Sequence, residues 1–139
     1  MNREMTEIIE RQVPLMLPSS TSVQEACRHM HDRKVGAVLV TNERNQLVGI
    51  FTGRDAVRML ARGRDAAHTH LKDVMTRNPA TISPKARAID ALRLMRDGGF
   101  RHVPIVENGM VRGIVSRNDF RGLEQDRMEE EIGMWEHMR

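Results

Sequence analysis

A shift of 65 residues lays one half of this 139-residue chain on the other. Pro14 falls on Pro79, Ala26 on Ala91, Met30 on Met95 and Asp32 on Asp97. With one residue dropped from the mid-repeat turn, Gly49, Ile50 and Asp55 fall on Gly113, Ile114 and Asp119. Gly49-Ile50-Phe51-Thr52-Gly53-Arg54-Asp55 and Gly113-Ile114-Val115-Ser116-Arg117-Asn118-Asp119 thus share the pattern Gly-apolar-apolar-Ser/Thr-x-x-Asp. Self-similarity at a fixed offset constrains a fold more than any single motif, because both copies must solve the same packing problem. The copies cover about residues 6–58 and 71–122, and two copies this long imply a duplicated domain rather than a solenoid.

Each copy reads the same way. Val23, Ala26, Cys27 and Met30 fall at helical spacing, and Ala88, Ala91, Leu92 and Met95 repeat that apolar face. Cys27 stands where the second copy has Leu92, so it reads as a small core hydrophobe. Two β-rich runs follow, at 35–40 and 47–51 in the first copy and at 103–106 and 110–115 in the second. The second pair is joined by Glu107-Asn108-Gly109, and Asn-Gly between apolar runs signals a hairpin. Another helix is expected after each hairpin, carrying Ala56, Val57, Met59 and Leu60 in the first copy. Short leading strands are expected near residues 15–17 and 80–82, which makes the unit strand–helix–strand–strand–helix.

A unit of about 50 residues buries little surface alone, so the two copies are expected to pack sheet to sheet with pseudo-twofold symmetry and a cleft between them. The expected organisation is repeat 1 with its N-terminal segment at 1–62, a linker at 63–70, repeat 2 at 71–122 and an acidic C-terminal helix at 123–139. In that last segment Met128, Ile132 and Trp135 share one helical face, and six acids of residues 124–139 face two arginines. The body is correspondingly basic, which suits phosphate-bearing ligands. Stacking aromatics are scarce, with three phenylalanines, one tryptophan and no tyrosine, so nucleic acid is disfavoured as a partner. No apolar run approaches the roughly 20 residues that span a bilayer, and the N-terminus lacks a signal-peptide apolar stretch. One cysteine excludes an internal disulfide, and a cytoplasmic protein is expected. His68 and His70 lack a partner at ligand spacing, so no metal site is expected, and no nucleophile–base set or P-loop points to an enzyme.

The duplicated Gly-x-x-Ser/Thr-x-x-Asp segments, Thr81-Ile82-Ser83-Pro84 and Phe100-Arg101-His102-Val103-Pro104-Ile105-Val106 occur in an order that closely resembles a tandem pair of CBS (cystathionine β-synthase) domains, a Bateman module. The resemblance implies an α/β (α+β) fold of two βαββα repeats. It also implies a regulatory, non-catalytic module for energy sensing or signal transduction that binds AMP, ADP, ATP or S-adenosylmethionine, requires no cofactor and forms a homodimer. Its output would go to the dimer mate or to an unidentified protein target.

Carried over residue by residue, Asp55 and Asp119 are candidates for the two hydroxyls of a ribose. Thr52 and Ser116 sit at helix starts that favour phosphate, with Arg54 beside one and Arg117 and Asn118 beside the other. By the family pattern adenine would lie against Ile82, Val103 and Pro104 in the second site and Leu17, Ala37 and Val38 in the first. Thr81, Arg101 and His102 complete the second site, where the first has Met16, Gly36 and Ala37. The second site is therefore expected to bind a nucleotide better. Three readings stay open: this sensor, a nucleic-acid-binding module using the arginine-rich body, and an unliganded dimerisation scaffold whose aspartates only cap helices, since Ser/Thr-x-x-Asp is close to a capping box.

Overall fold

The structure, a computed structural model, describes residues 3–120; the expected C-terminal helix at 123–139 lies outside the described residues. The elements run α1 (Met5–Ile9), β1 (Met16–Pro18), α2 (Val23–Arg33), β2 (Ala37–Thr41), β3 (Leu47–Thr52), α3 (Gly53–Ala61), α4 (Leu71–Val74), β4 (Thr76–Arg77), α5 (Ala88–Gly98), β5 (His102–Glu107) and β6 (Met110–Ser116), then a 3-10 turn, Arg117–Asp119. They form two compact units. One contains residues 13–80 with 108–111; the other contains, among described residues, 3–12, 81–107 and 112–120.

In the first unit the sheet order is β1-β2-β3-β4, with β1 parallel to β2 and the other pairs antiparallel. A parallel pair needs a crossover, and α2 supplies it. Ser22 caps α2 by accepting the Glu25 N–H at 3.1 Å, and Lys34 ends it in the left-handed region at φ 55°. The linker is built into this helix start: the carbonyls of Thr69 and Ala66 accept the N–H groups of Val23 and Gln24 at 2.8 and 3.0 Å. Val23, Ala26 and Met30 then bury the expected face against Leu15, Val38, Val40, Phe51 and Leu71. In α3 only Met59 of the apolar set is fully buried; Val57 and Leu60 are 65% and 74% exposed. The sheet offers a short helix one narrow contact stripe, and those two residues lie off it.

In the second unit α5 buries Ala88, Ala91, Leu92 and Met95 against Val103, Ile105, Val115 and Phe120. β5 and β6 form a hairpin in which Asn108 and Gly109 both have positive φ, 53° and 80°, the backbone that an Asn-Gly turn adopts readily. The expected leading strand shrinks to one parallel bridge, Ile82 to Ile105. In the first unit the Leu39 N–H donates to Leu15 O at 2.9 Å; the matching residue in the second is Pro104, which has no N–H to give. The leading segment therefore pairs only beyond the proline, through Ile82 N–H to Pro104 O at 3.1 Å and Val106 N–H to Ile82 O at 3.0 Å.

The sequence groups residues 1–12 with the first repeat and 71–80 with the second, whereas the compact units exchange both. Burial explains the exchange. Met5 and Ile9, 0% and 7% exposed, complete the core beneath β6, while Leu71 is enclosed beside β3 and β4 extends that sheet. The repeated glycine of the motif makes room for each exchanged segment. A Cβ on Gly113 would lie 2.8 Å from Ile9 Cγ2, and one on Gly49 would lie 2.5 Å from Met75 Sδ. Gly113→Ala is accordingly expected to destabilise the protein by about 1–3 kcal/mol. Thermal or urea unfolding checks this, with Gly53→Ala as a control, since a Cβ there meets nothing within 4 Å.

Candidate functional site

The two hairpins end in the same local structure. After β3, Asp55 Oδ2 accepts the Thr52 N–H at 2.8 Å and the Thr52 hydroxyl at 3.2 Å; after β6, Asp119 Oδ2 accepts the Ser116 N–H at 2.7 Å and the Ser116 hydroxyl at 3.3 Å. Each arrangement is the carboxylate half of a capping box, the structural role the sequence left open. The backbone ties each turn to the residue just before its hairpin's first strand, through Gly53 N–H to Gly36 O at 3.1 Å and Arg117 N–H to Arg101 O at 2.9 Å.

The second carboxylate oxygen separates the copies. Asp55 Oδ1 is held by the Arg58 guanidinium at 3.2 Å, and the aspartate is buried. Asp119 is only half-buried, and among the described residues its Oδ1 accepts no hydrogen bond. The sequence carried this signal unread: Arg58 falls on Gly122, which has no side chain to reach back.

All ten residues expected at the second site lie in the second unit. Ser116, Arg117 and Asp119 are half-buried on the turn, with Asn118 exposed. Arg101 is exposed at the start of β5, and His102 beside it is half-buried. Thr81 is exposed on the leading segment, with Ile82 half-buried against β5. Val103 and Pro104 are buried, and Val103 is enclosed in the core, so its side chain is turned away from any ligand and its peptide groups are what it offers. His102 is pushed below its ordinary pKa of 6.5, first by burial and next by the Arg101 charge, with Asp119 partly opposing both. His102 thus lies within electrostatic reach of Arg101 and Asp119, and the backbone joins Arg101 to Arg117.

The first site is less well equipped. Thr52 is half-buried, Gly36 and Arg54 are exposed, and Ala37 and Val38 are buried, Val38 within the core. Leu17 lines a groove of about 790 Å³ formed by residues 16–20 and 41–46, at the turn end of β2 rather than beside Thr52 and Asp55. Its side chain and the Asp55 carboxylate therefore do not line the same hollow. In the linker, His68 Nδ1 lies 2.7 Å from Asp65 Oδ2, a hydrogen bond that, with one from the Ala67 N–H, lowers the Asp65 pKa, and the described residues contain no metal-ligand cluster.

The fold is that of a duplicated α+β domain in which each copy's hairpin ends in a carboxylate-anchored turn. The CBS domain model matches residues 5–62 and 71–125, and the chain belongs to the CBS-domain family as a tandem pair. A CBS domain-containing protein of Arabidopsis thaliana is 46% identical over 98 residues, 70% of this chain but 18% of the plant protein, so the chain matches only a small part of that relative's length. A CBS-domain containing protein of Agrobacterium tumefaciens superposes with a TM-score of 0.76 at 30% identity, covering 84% of this chain and 89% of that one. A CBS domain protein of Pyrobaculum aerophilum, complexed with AMP, superposes with a TM-score of 0.84, covering 92% and 99%; at 22% identity this likeness is one of fold. No helix among the described residues is long and apolar enough to cross a membrane.

The depressed His102 pKa has a signed consequence. The unfolded chain protonates this group at a higher pH than the folded chain does, so its contribution to stability is fully present above about pH 6.5 and is lost as pH falls below that value. Urea unfolding of the wild type and of His102→Gln between pH 7.5 and 5 is expected to show the smaller acid loss in the variant.

Proposed function

We propose that this CBS pair is a regulatory module that binds a phosphate-bearing adenosine nucleotide, AMP, ADP or ATP, at the second-unit site. Occupancy would be signalled to a dimer mate or a protein partner. The observation that carries the reading is Asp119 Oδ1, which accepts no hydrogen bond among the described residues, on a turn tied by its backbone to Arg101 and with its charge felt by His102. A carboxylate oxygen that no described residue takes suits a vicinal diol, which brings two O–H donors. Guanidinium groups suit the phosphate next to that ribose, and charge-assisted bonds of both kinds are the strong ones. The same cations disfavour S-adenosylmethionine, whose sulfonium replaces the phosphate with a positive charge. Pro104 supports the adenine end, because the missing N–H thins the pairing of the leading segment and frees peptide groups to meet a base edge. Within the same fold, the Pyrobaculum protein holds AMP.

Signalling requires only differential affinity. A ligand shifts the equilibrium between two arrangements by as much as its binding to them differs.

The competing account, in which the aspartates only cap helices, rests on the two Oδ2 hydrogen bonds, and a paired substitution separates it from ours. Asp55→Ala and Asp119→Ala each remove a capping interaction worth about 0.5–2 kcal/mol. Titration calorimetry with AMP, ATP, S-adenosylmethionine and NADH is expected to show nucleotide binding that Asp119→Ala weakens by about tenfold or more and Asp55→Ala leaves nearly intact. Equal stability losses with no binding in the wild type would support the scaffold.

A further inference from the structure

The segment before β1 holds two parts of the second unit that the nucleotide reading assigns to one site. On one side it lies along residues 84–88, which continue directly from Thr81 and Ile82. There the Met5 N–H donates to Ala86 O at 2.9 Å, the Thr6 N–H and hydroxyl donate to Pro84 O at 3.0 and 2.8 Å, and the Ala88 N–H donates to Arg3 O at 2.7 Å. On the other side it holds β6 and its turn. Gln12 Oε1 accepts the Ile114 N–H at 3.0 Å, Ile9 fills the space over Gly113, and an Arg3 guanidinium nitrogen donates to the carbonyl of Asp119 itself at 3.1 Å. Met5, fully enclosed, anchors the segment between these contacts.

We propose that residues 3–12 act as a positioning strap for the second ligand site, with Arg3 holding the Asp119 backbone, so that nucleotide binding and strap docking reinforce each other. The proposal rests on the nucleotide reading and adds to it an element that senses occupancy. With the strap docked, the Asp119 carbonyl is fixed and its carboxylate already points as the capping bond requires, so little ordering remains when a ribose arrives. Coupling of this kind is reciprocal: if the docked strap raises nucleotide affinity, the nucleotide must stabilise the docked strap by the same factor. Residues 13–15 join the strap to β1.

The test pairs Arg3→Ala with amide hydrogen exchange, using AMP as the probe. Arg3 is exposed, and its loss is expected to leave the circular dichroism spectrum unchanged. AMP affinity should fall about threefold to tenfold, the range for losing one partly exposed charged hydrogen bond, with partial recovery in Arg3→Lys. In the wild type, saturating AMP should slow exchange at the Met5 and Thr6 amides, and Arg3→Ala should reduce that protection, a readout that a purely structural contact would not give. The proposal is overturned if the wild type binds AMP, Arg3→Ala binds it equally well, and exchange at Met5 and Thr6 is indifferent to AMP. Absence of AMP binding in the wild type would instead overturn the nucleotide reading and this proposal with it.

Discussion

The hydrogen bond from the Ser116 N–H to Asp119 Oδ2, with its counterpart from Thr52 to Asp55, is the constraint on which the functional geometry depends. It turns the chain sharply at the end of each hairpin and spends one carboxylate oxygen doing so. What the other oxygen meets separates the two copies. In the first unit Arg58 takes Oδ1 for the fold; in the second, the residue at that position in the sequence is glycine, and among the described residues nothing takes Oδ1. The two copies thus share this anchored turn but differ at the residues around it.

Pro104 acts in the same direction through the backbone. Where Leu39 donates into a three-residue parallel pairing, the proline cannot, and the leading segment of the second unit is held by its neighbours more than by the sheet. Such an edge needs outside support, which the strap at 3–12 provides from one side and β5 from the other. The exchange of leading segments places a buried methionine and a guanidinium group where the thinned pairing and the anchoring turn require them.

Much of this was legible in the sequence because it depends on local pattern. The 65-residue offset exposed the duplication, the helical faces of α2 and α5 followed from spacing, and Asn108-Gly109 announced its own turn. The second-site residues fall within one compact unit because the repeat carries them at matched offsets. Tertiary context was not legible. Nothing in Met5, Ile9 or Leu71 says which copy they will bury against, so the unit boundaries could not be drawn from spacing alone. Val57 and Leu60 look like core on a helical wheel and are exposed because a short helix on a sheet buries one stripe. The motif glycine reads as part of a ligand signature, whereas its cause is the close approach of an exchanged segment. The contrast between Arg58 and Gly122 lay in plain view and needed only the knowledge that an arginine at that spacing reaches the aspartate.

The central claim is that the two copies share a scaffold but not a ligand, and amide chemical shifts read that directly. Titrating AMP into the isotopically labelled protein should move the resonances of Ile82, His102 and residues 116–119 while leaving those of residues 52–55 in place. Shifts concentrated at 52–55, or equal at both turns, would contradict the account.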